Sequence, residues 1–599
     1  MIRSGIIVDT SFLPRFILLN LVLLFTFLVR FRKMQSAFIS WFDLFFAAFY
    51  LWNIAGMVWA IAPSETLEQS QLIFTAFALY LITRSLSREF PSFLRSFITV
   101  LIPLLLLSYS LAFIKIFSLD FFDPYQIISV SANNNLFSGF LLITLPFLLI
   151  GYSLFRNILR FLFVGCGVIS VFLIIIVQSR AVYLGLFISF LILMMMLVTR
   201  FRNLLNRKNL VTGFSALVVL TAGLVLFYLS LDQPRRNYFM SKIPVWNYFH
   251  SYEGIQAEKS RRQLKATENQ SMPEFDFAAE YYENANLRLI FWKKSAGLIT
   301  SRPVTGVAAG NWRLAVPSVA KPPNPDHTLR NYTYSQPHNE WICFLAETGI
   351  PGLLLALVVF LALPLMVWFL PNKNFLAILL ASFMLGFYVF ACFDFPFHRI
   401  EHLVMISCAL GFLSGISPVK PALPLKISRL VPFICIPLLV LSLIMGIYRF
   451  RGEYFTLKMF QFERKDDVTT AAYARKAENC FYHITPNALP VSWFRGVALY
   501  RTGDTTGAVR EFEKALVFTP WEVRVLNDYG TSLYNSGKQA EGKAALLKCF
   551  RTDPFFDDAK LNLSFVYLMS GRRDSSYYFL TLCRPSAKKD RLLEMLMHQ

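Results

Sequence analysis

Four polar stretches hold the residue types that chemistry at a membrane face would need. SANNNLFSGF carries Asn133 and Asn135, QSRAVYLG carries Arg180, and ANLRLIFWKKSAGLITSRPVTGVAAGNW carries Arg288. QPHNEWICFLAETGIPG carries His338, Asn339, Glu347, Gly349 and Gly352. An arginine at membrane depth is costly to keep, so Arg180 marks either function or a side chain snorkelling to the interface. Arg288 follows Glu280 and Glu283 and, taken alone, reads more readily as one half of a loop ion pair. A single histidine such as His338 is more often structural than reactive. The Gly349–Gly352 turn reads as a backbone feature that shapes the entry of a helix. No Asp-x-Asp pair or His-rich cluster stands in these stretches, and the eight cysteines form no CxxC, so nothing calls for a metal. The cysteines read as packing residues.

The elements that carry these residues are set by composition. Apolar residues make up 55% of the 599, charged residues only 16%, and mean hydropathy is +0.49. A soluble globular chain carries about 25% charged residues. The numbers exclude a disordered chain, a secreted disulfide scaffold and a soluble nucleic-acid binder, and predict an all-α, polytopic membrane helix bundle. About 20 apolar residues cross a bilayer. Twelve candidate spans result, near 12–29, 37–60, 67–83, 96–117, 134–154, 158–177, 181–199, 210–231, 345–370, 375–395, 400–417 and 430–449. The first lacks a small-residue cleavage site and reads as an uncleaved helix.

Charge orients the spans. The short connections after odd-numbered spans hold sixteen Lys and Arg, against Arg180 and Arg399 in those after spans two, four, six and ten. The positive-inside rule then puts the odd connections in the cytoplasm. The N-terminus, the long segment 232–344 and everything past residue 450 are expected outside it. Arg449 and Arg451, next to the last span, speak against this orientation. The net charge of +21 follows from the same cytoplasmic loops and needs no nucleic-acid partner.

Past residue 450 a 34-residue period emerges. Pro486, Pro520 and Pro554 recur at that interval, as do Gly503, Gly537 and Gly571. Gly496, Ala508, Phe512, Ala515 and Pro520 fall at the spacing of the tetratricopeptide consensus. The pattern predicts a C-terminal α-solenoid of stacked helix pairs that binds or positions a partner. The expected organisation is a transmembrane domain over 1–450, a large outer loop at 232–344 within it, and a tetratricopeptide-repeat domain over 451–599.

The polar stretches, in this order and flanking one long outer loop, resemble the O-antigen ligase and polymerase superfamily from about residue 40 to 417. The similarity rests on the Asn cluster before a helix, Ser179-Arg180, the Arg288 helix leading into Pro-Val-Thr-Gly-Val at 303–307, and His338-Asn339 followed by Glu347, Gly349 and Gly352. Members commonly have one more span before the Arg30–Lys33 loop; here that span is missing and an additional one stands at 430–449.

The resemblance implies a membrane glycosyltransferase at the periplasmic face of the bacterial inner membrane. Its donor would be a glycan on a polyprenyl diphosphate. Its acceptor would be a hydroxyl of lipid A–core, another glycan or a protein. Arg180 and Arg288 would hold the diphosphate, because a guanidinium matches phosphate oxygens as a fork. His338 would take the acceptor proton or align the reacting groups. Asn339, Glu347, Asn133 and Asn135 would support the site, with no cofactor and no metal. A polymerase extending the glycan on its own carrier shares this donor. A lipid-linked-oligosaccharide transporter would instead need repeated or broken spans and a charged path across the bilayer. The charges cluster at the outer face, which favours a transferase.

Overall fold

The structure is a computed structural model that describes residues 12–35, 39–90, 92–118, 124–156, 158–200, 277–319, 336–369, 374–416 and 429–598. Every named element among them is an α-helix or a 3-10 turn. Eleven of the twelve expected spans fall on helices. The stretch 210–231 lies outside the described residues.

Among the described residues, seven helices are long and apolar enough to cross a membrane: Phe12–Val29, Trp41–Val58, Phe93–Ser118, Asn134–Leu154, Leu159–Val177, Glu340–Val367 and Val431–Phe462. Arg180–Met196, Phe375–Phe390 and Ile400–Ile416 are apolar but shorter. The helix Pro63–Glu89 is long, but Glu65, Glu68, Arg84 and Arg88 lower its hydropathy. Those four elements and 210–231, which lies outside the described residues, make up the difference between twelve expected spans and seven.

The chain packs as two compact units. One comprises Leu79–Ile290 and Phe360–Val419, the other Ile2–Ala78, Phe291–Val359 and Lys420–Gln599. Val431–Phe462 runs through the expected border near residue 450 as one unbroken helix. At about 1.5 Å per residue it is roughly 48 Å long, well beyond a bilayer core of about 30 Å. Of the expected loop 232–344, only 277–319 and 336–344 are described.

In the first unit, Asn134–Leu154 is the most buried membrane helix. Arg180–Arg200 and Phe375–Phe390 cross so closely that a Cβ on Gly386 would lie 2.2 Å from the Gly185 carbonyl oxygen. Small residues at such crossings let helix backbones meet where no hydrophobic drive pushes them together. Tyr109 donates to Ser170 Oγ or accepts from it at 2.7 Å, and it also reaches the Cys166 carbonyl. That contact ties Phe93–Ser118 to Leu159–Val177.

In the second unit, polar side chains join the helices. Thr75 donates to Asn20 Oδ1 at 3.0 Å, and Ser442 donates to Gln71 Oε1 at 2.7 Å. Gln71 Nε2 reaches Tyr50 at 3.2 Å. Beyond the last membrane helix come short helices in succession. Val491–Arg501, Val523–Asn535 and Asp557–Met569 each precede a second helix, Thr505–Phe518, Gln539–Thr552 and Arg573–Thr581. The second helices start 34 residues apart. Gly503, Gly537 and Gly571 make the turns within the pairs, all with positive φ. Within a pair the packing is tight: a Cβ on Gly496 would lie 2.7 Å from the Phe512 ring, and one on Gly530 2.8 Å from Leu546.

Candidate functional site

The helix Glu340–Phe369 is broken at Gly349, which has φ 65° and ψ −171°. The break lets another segment dock. Ile350 N donates to the Pro303 carbonyl at 2.9 Å and Val307 N to the Ala346 carbonyl at 3.0 Å. The two backbones touch: a Cβ on Gly349 would lie 2.0 Å from Val304 O, and one on Gly306 2.3 Å from the Glu347 carbonyl. Both glycines have positive φ, so each position needs Gly for its conformation and for its lack of a side chain. Pro-Val-Thr-Gly-Val at 303–307 and Gly-Ile-Pro-Gly at 349–352 are therefore two halves of one structure. Trp52 Nε1 closes it by donating to the Thr348 carbonyl at 2.7 Å.

The turn that follows is anchored at Trp312, one of the largest fully buried side chains. Its backbone N–H donates to Glu347 Oε1 at 3.0 Å and its indole N–H to Ser295 Oγ at 2.9 Å. Its ring meets Phe291 edge-on at 6.2 Å. Asn311 next to it donates to Thr66 Oγ1 at 2.8 Å and accepts from Ala62 N at 2.7 Å.

His338 also packs on Phe291. The rings are stacked, 6.4 Å between centroids and 14° between planes. Its backbone is left-handed, φ 53°. Trp292 Nε1 holds the preceding Pro337 carbonyl at 3.0 Å. Asn339 is buried and caps the next helix, accepting from Ile342 N at 3.0 Å. Thus His338, Asn339, Glu347 and the 303–315 segment assemble within one unit around Phe291 and Trp312. Glu347 bonds a backbone amide, and Asn339 caps the start of a helix.

The other expected residues belong to the first unit. Asn133 caps Asn134–Leu154 through Leu136 N at 2.7 Å, and Asn135 lies half-buried in that helix's first turn. Arg180 is exposed, the first residue of its helix, after a left-handed Gln178 and a buried Ser179. Arg288 is half-buried on the helix Phe277–Ser301.

Sequence reasoning missed a buried charge cluster beside the Trp312 turn. Glu65 receives Arg313 Nη2 at 2.5 Å and Arg449 Nη1 at 3.0 Å. Arg449 Nε also meets Glu68 Oε1 at 2.7 Å. Burial pushes the Glu65 carboxyl up, but Arg449 and then Arg313 outweigh it and hold it below the usual carboxylate range. The cluster corrects the weight given to Arg449 in orienting the chain. With two carboxylates on it, Arg449 is not a free positive charge. The signal was there: two acids three residues apart opening an apolar helix, and an arginine closing the apolar run 430–449.

Residues 165–357 match the protein family described as O-Antigen ligase. The matched segment holds Arg180, Arg288, His338, Asn339 and Glu347, together with the 303–307 and 349–352 segments. No curated protein matches the chain.

Proposed function

We propose that this chain is a glycosyltransferase of the O-antigen ligase type, which moves a glycan from a polyprenyl-diphosphate donor to a hydroxyl on lipid A–core or protein. The observation that carries the reading is the family match over 165–357, which spans both arginines and His338. In this reading the acceptor oxygen attacks the anomeric carbon and its proton passes to His338. The bond from that carbon to the phosphate oxygen breaks, and its electron pair leaves with the diphosphate. Arg180 and Arg288 hold the diphosphate and stabilise the charge it gains. His338 suits the role of base in that its backbone is pinned and its ring is stacked, so the imidazole needs little reordering to act. Both substrates are positioned without a metal.

The reaction is read as taking place at the periplasmic face of the inner membrane, with the C-terminal helix pairs, a tetratricopeptide array, on that side as well. Support comes from the segments that meet at the Glu65 cluster. The charge count assigns the connection after span two, the 303–315 segment and the region past residue 450 to one side of the membrane. They pack against one another. Deleting the gene and analysing lipopolysaccharide and glycoproteins together tests the reading. Uncapped lipid A–core or unmodified protein, with lipid-linked polymer retained, is the expected result. Loss of the polymer itself would make the enzyme a polymerase, and unchanged glycans in every fraction would refute a transferase.

A further inference from the structure

We propose that Glu65 is a positioning residue: a carboxylate clip that makes the loop 479–490, at the head of the helix array, part of the scaffold holding the Trp312 turn. The proposal rests on the transferase reading for its catalytic consequence, but not for the clip itself. Three chain segments converge on this carboxylate. Glu65 opens the Pro63–Glu89 helix. Arg313 directly follows Trp312, whose amide is bonded to Glu347. Arg449 lies on the long Val431–Phe462 helix that leads into the array.

Each arginine also reaches the loop. Arg449 Nη1 donates to the Phe481 carbonyl at 2.8 Å, and Arg313 Nη1 to the Pro486 carbonyl at 3.3 Å. The loop is folded on itself, with Thr485 N bonded to the Leu489 carbonyl and Val491 N to the His483 carbonyl. Its Ile484 and Ala488 are buried in one cluster with Ala62 and Leu314. Tyr482 packs where Gly452 leaves room on the long helix. Polar and apolar contacts thus join the same four segments: the start of the Pro63–Glu89 helix, the Trp312 turn, the Val431–Phe462 helix and the loop.

A largely buried charge cluster contributes little as plain stabilisation, because desolvation opposes the attraction, and its best-attested use is to specify one arrangement. Here that arrangement fixes Arg313, the residue next to Trp312, whose indole packs on the same Phe291 ring as His338. A shift of about 1 Å in such a scaffold is enough to lower turnover substantially. The loop at the head of the array is thereby joined to the segment that packs on Phe291 beside His338.

The test uses the full-length protein in detergent or nanodiscs, with Arg313→Gln, Arg313→Lys and Glu65→Gln. Arg313→Gln leaves the Glu65–Arg449 pair intact and guards against loss of the whole fold. Hydrogen exchange is read by mass spectrometry, and transfer from a lipid-linked glycan is read as kcat and KM. We expect Arg313→Gln and Glu65→Gln to raise exchange together in 309–316 and 479–490. We expect kcat to fall at least tenfold, with KM for the donor within about threefold, and Arg313→Lys to recover much of the loss, since it keeps the charge on Glu65. Raised exchange in one segment alone would overturn the clip. Raised exchange in both with unchanged kcat would overturn its catalytic role. A wild-type protein with no transfer would count against the transferase reading, while the exchange result would still decide the clip.

Discussion

The backbone N–H of Trp312 donates to Glu347 Oε1 at 3.0 Å, so an acid in the family-like motif serves as the acceptor for a buried amide 35 residues upstream. Glu347→Ala would leave that amide without its acceptor, at a cost of about 1–3 kcal/mol. Glu347→Gln keeps a carbonyl oxygen and should recover most of it. Thermal unfolding of the solubilised protein measures the difference. An Ala variant as stable as wild type would show that the bond contributes nothing.

Two glycines with positive φ should respond very differently to alanine. Gly503→Ala meets nothing within 4 Å and should cost only the left-handed backbone penalty of about 1–2 kcal/mol. At Gly349 a Cβ would lie 2.0 Å from Val304 O. Gly349→Ala should cost more than about 4 kcal/mol, in the range where a marginally stable fold is lost. The folded fraction seen by size-exclusion chromatography after solubilisation reports both. Equal yields of the two variants would contradict the backbone docking at 303–307.

His338→Ala should abolish transfer while expression and insertion stay normal. His338→Asn is the sharper variant, because Asn tolerates the left-handed backbone at this position, φ 53°. It should fold like wild type and still fail to transfer. Activity of purified His338→Asn within about threefold of wild type, under 1 kcal/mol of barrier, would remove His338 from the chemistry.

Arg180→Lys and Arg288→Lys should each impair transfer substantially, since an ammonium cannot reproduce the planar fork on a diphosphate. A donor-bound structure provides the direct check. Guanidinium groups more than about 15 Å apart could not share one diphosphate through two bidentate contacts.

The side of the membrane on which the array lies can be read with a natural probe. Cys480 is exposed, whereas Cys549 and Cys583 are buried. A membrane-impermeant thiol reagent should label Cys480 in cells whose outer membrane alone is permeabilised, and Cys480→Ser should lose the label. Labelling only after the inner membrane is broken would put the array in the cytoplasm and overturn the reading that it lies on the periplasmic side.

Much of this protein was determined locally and could be read from its sequence. Membrane helices follow from runs of apolar residues, because the bilayer forces each span to satisfy its own backbone. The 34-residue period follows from small and aromatic residues recurring where paired helices touch. Asn133 and Asn339, noted as polar residues at helix starts, are caps, a role that acts over three residues. The tertiary structure alone decided which distant segments meet. Gly306 and Gly349 were both visible, but a contact between backbones 43 residues apart leaves no periodic trace in the chain. Arg449 read as an adverse charge because a charge count treats every cation as free, and its two carboxylates lie 381 and 384 residues away in sequence. Ion pairing depends on distance in space, which only the folded chain supplies.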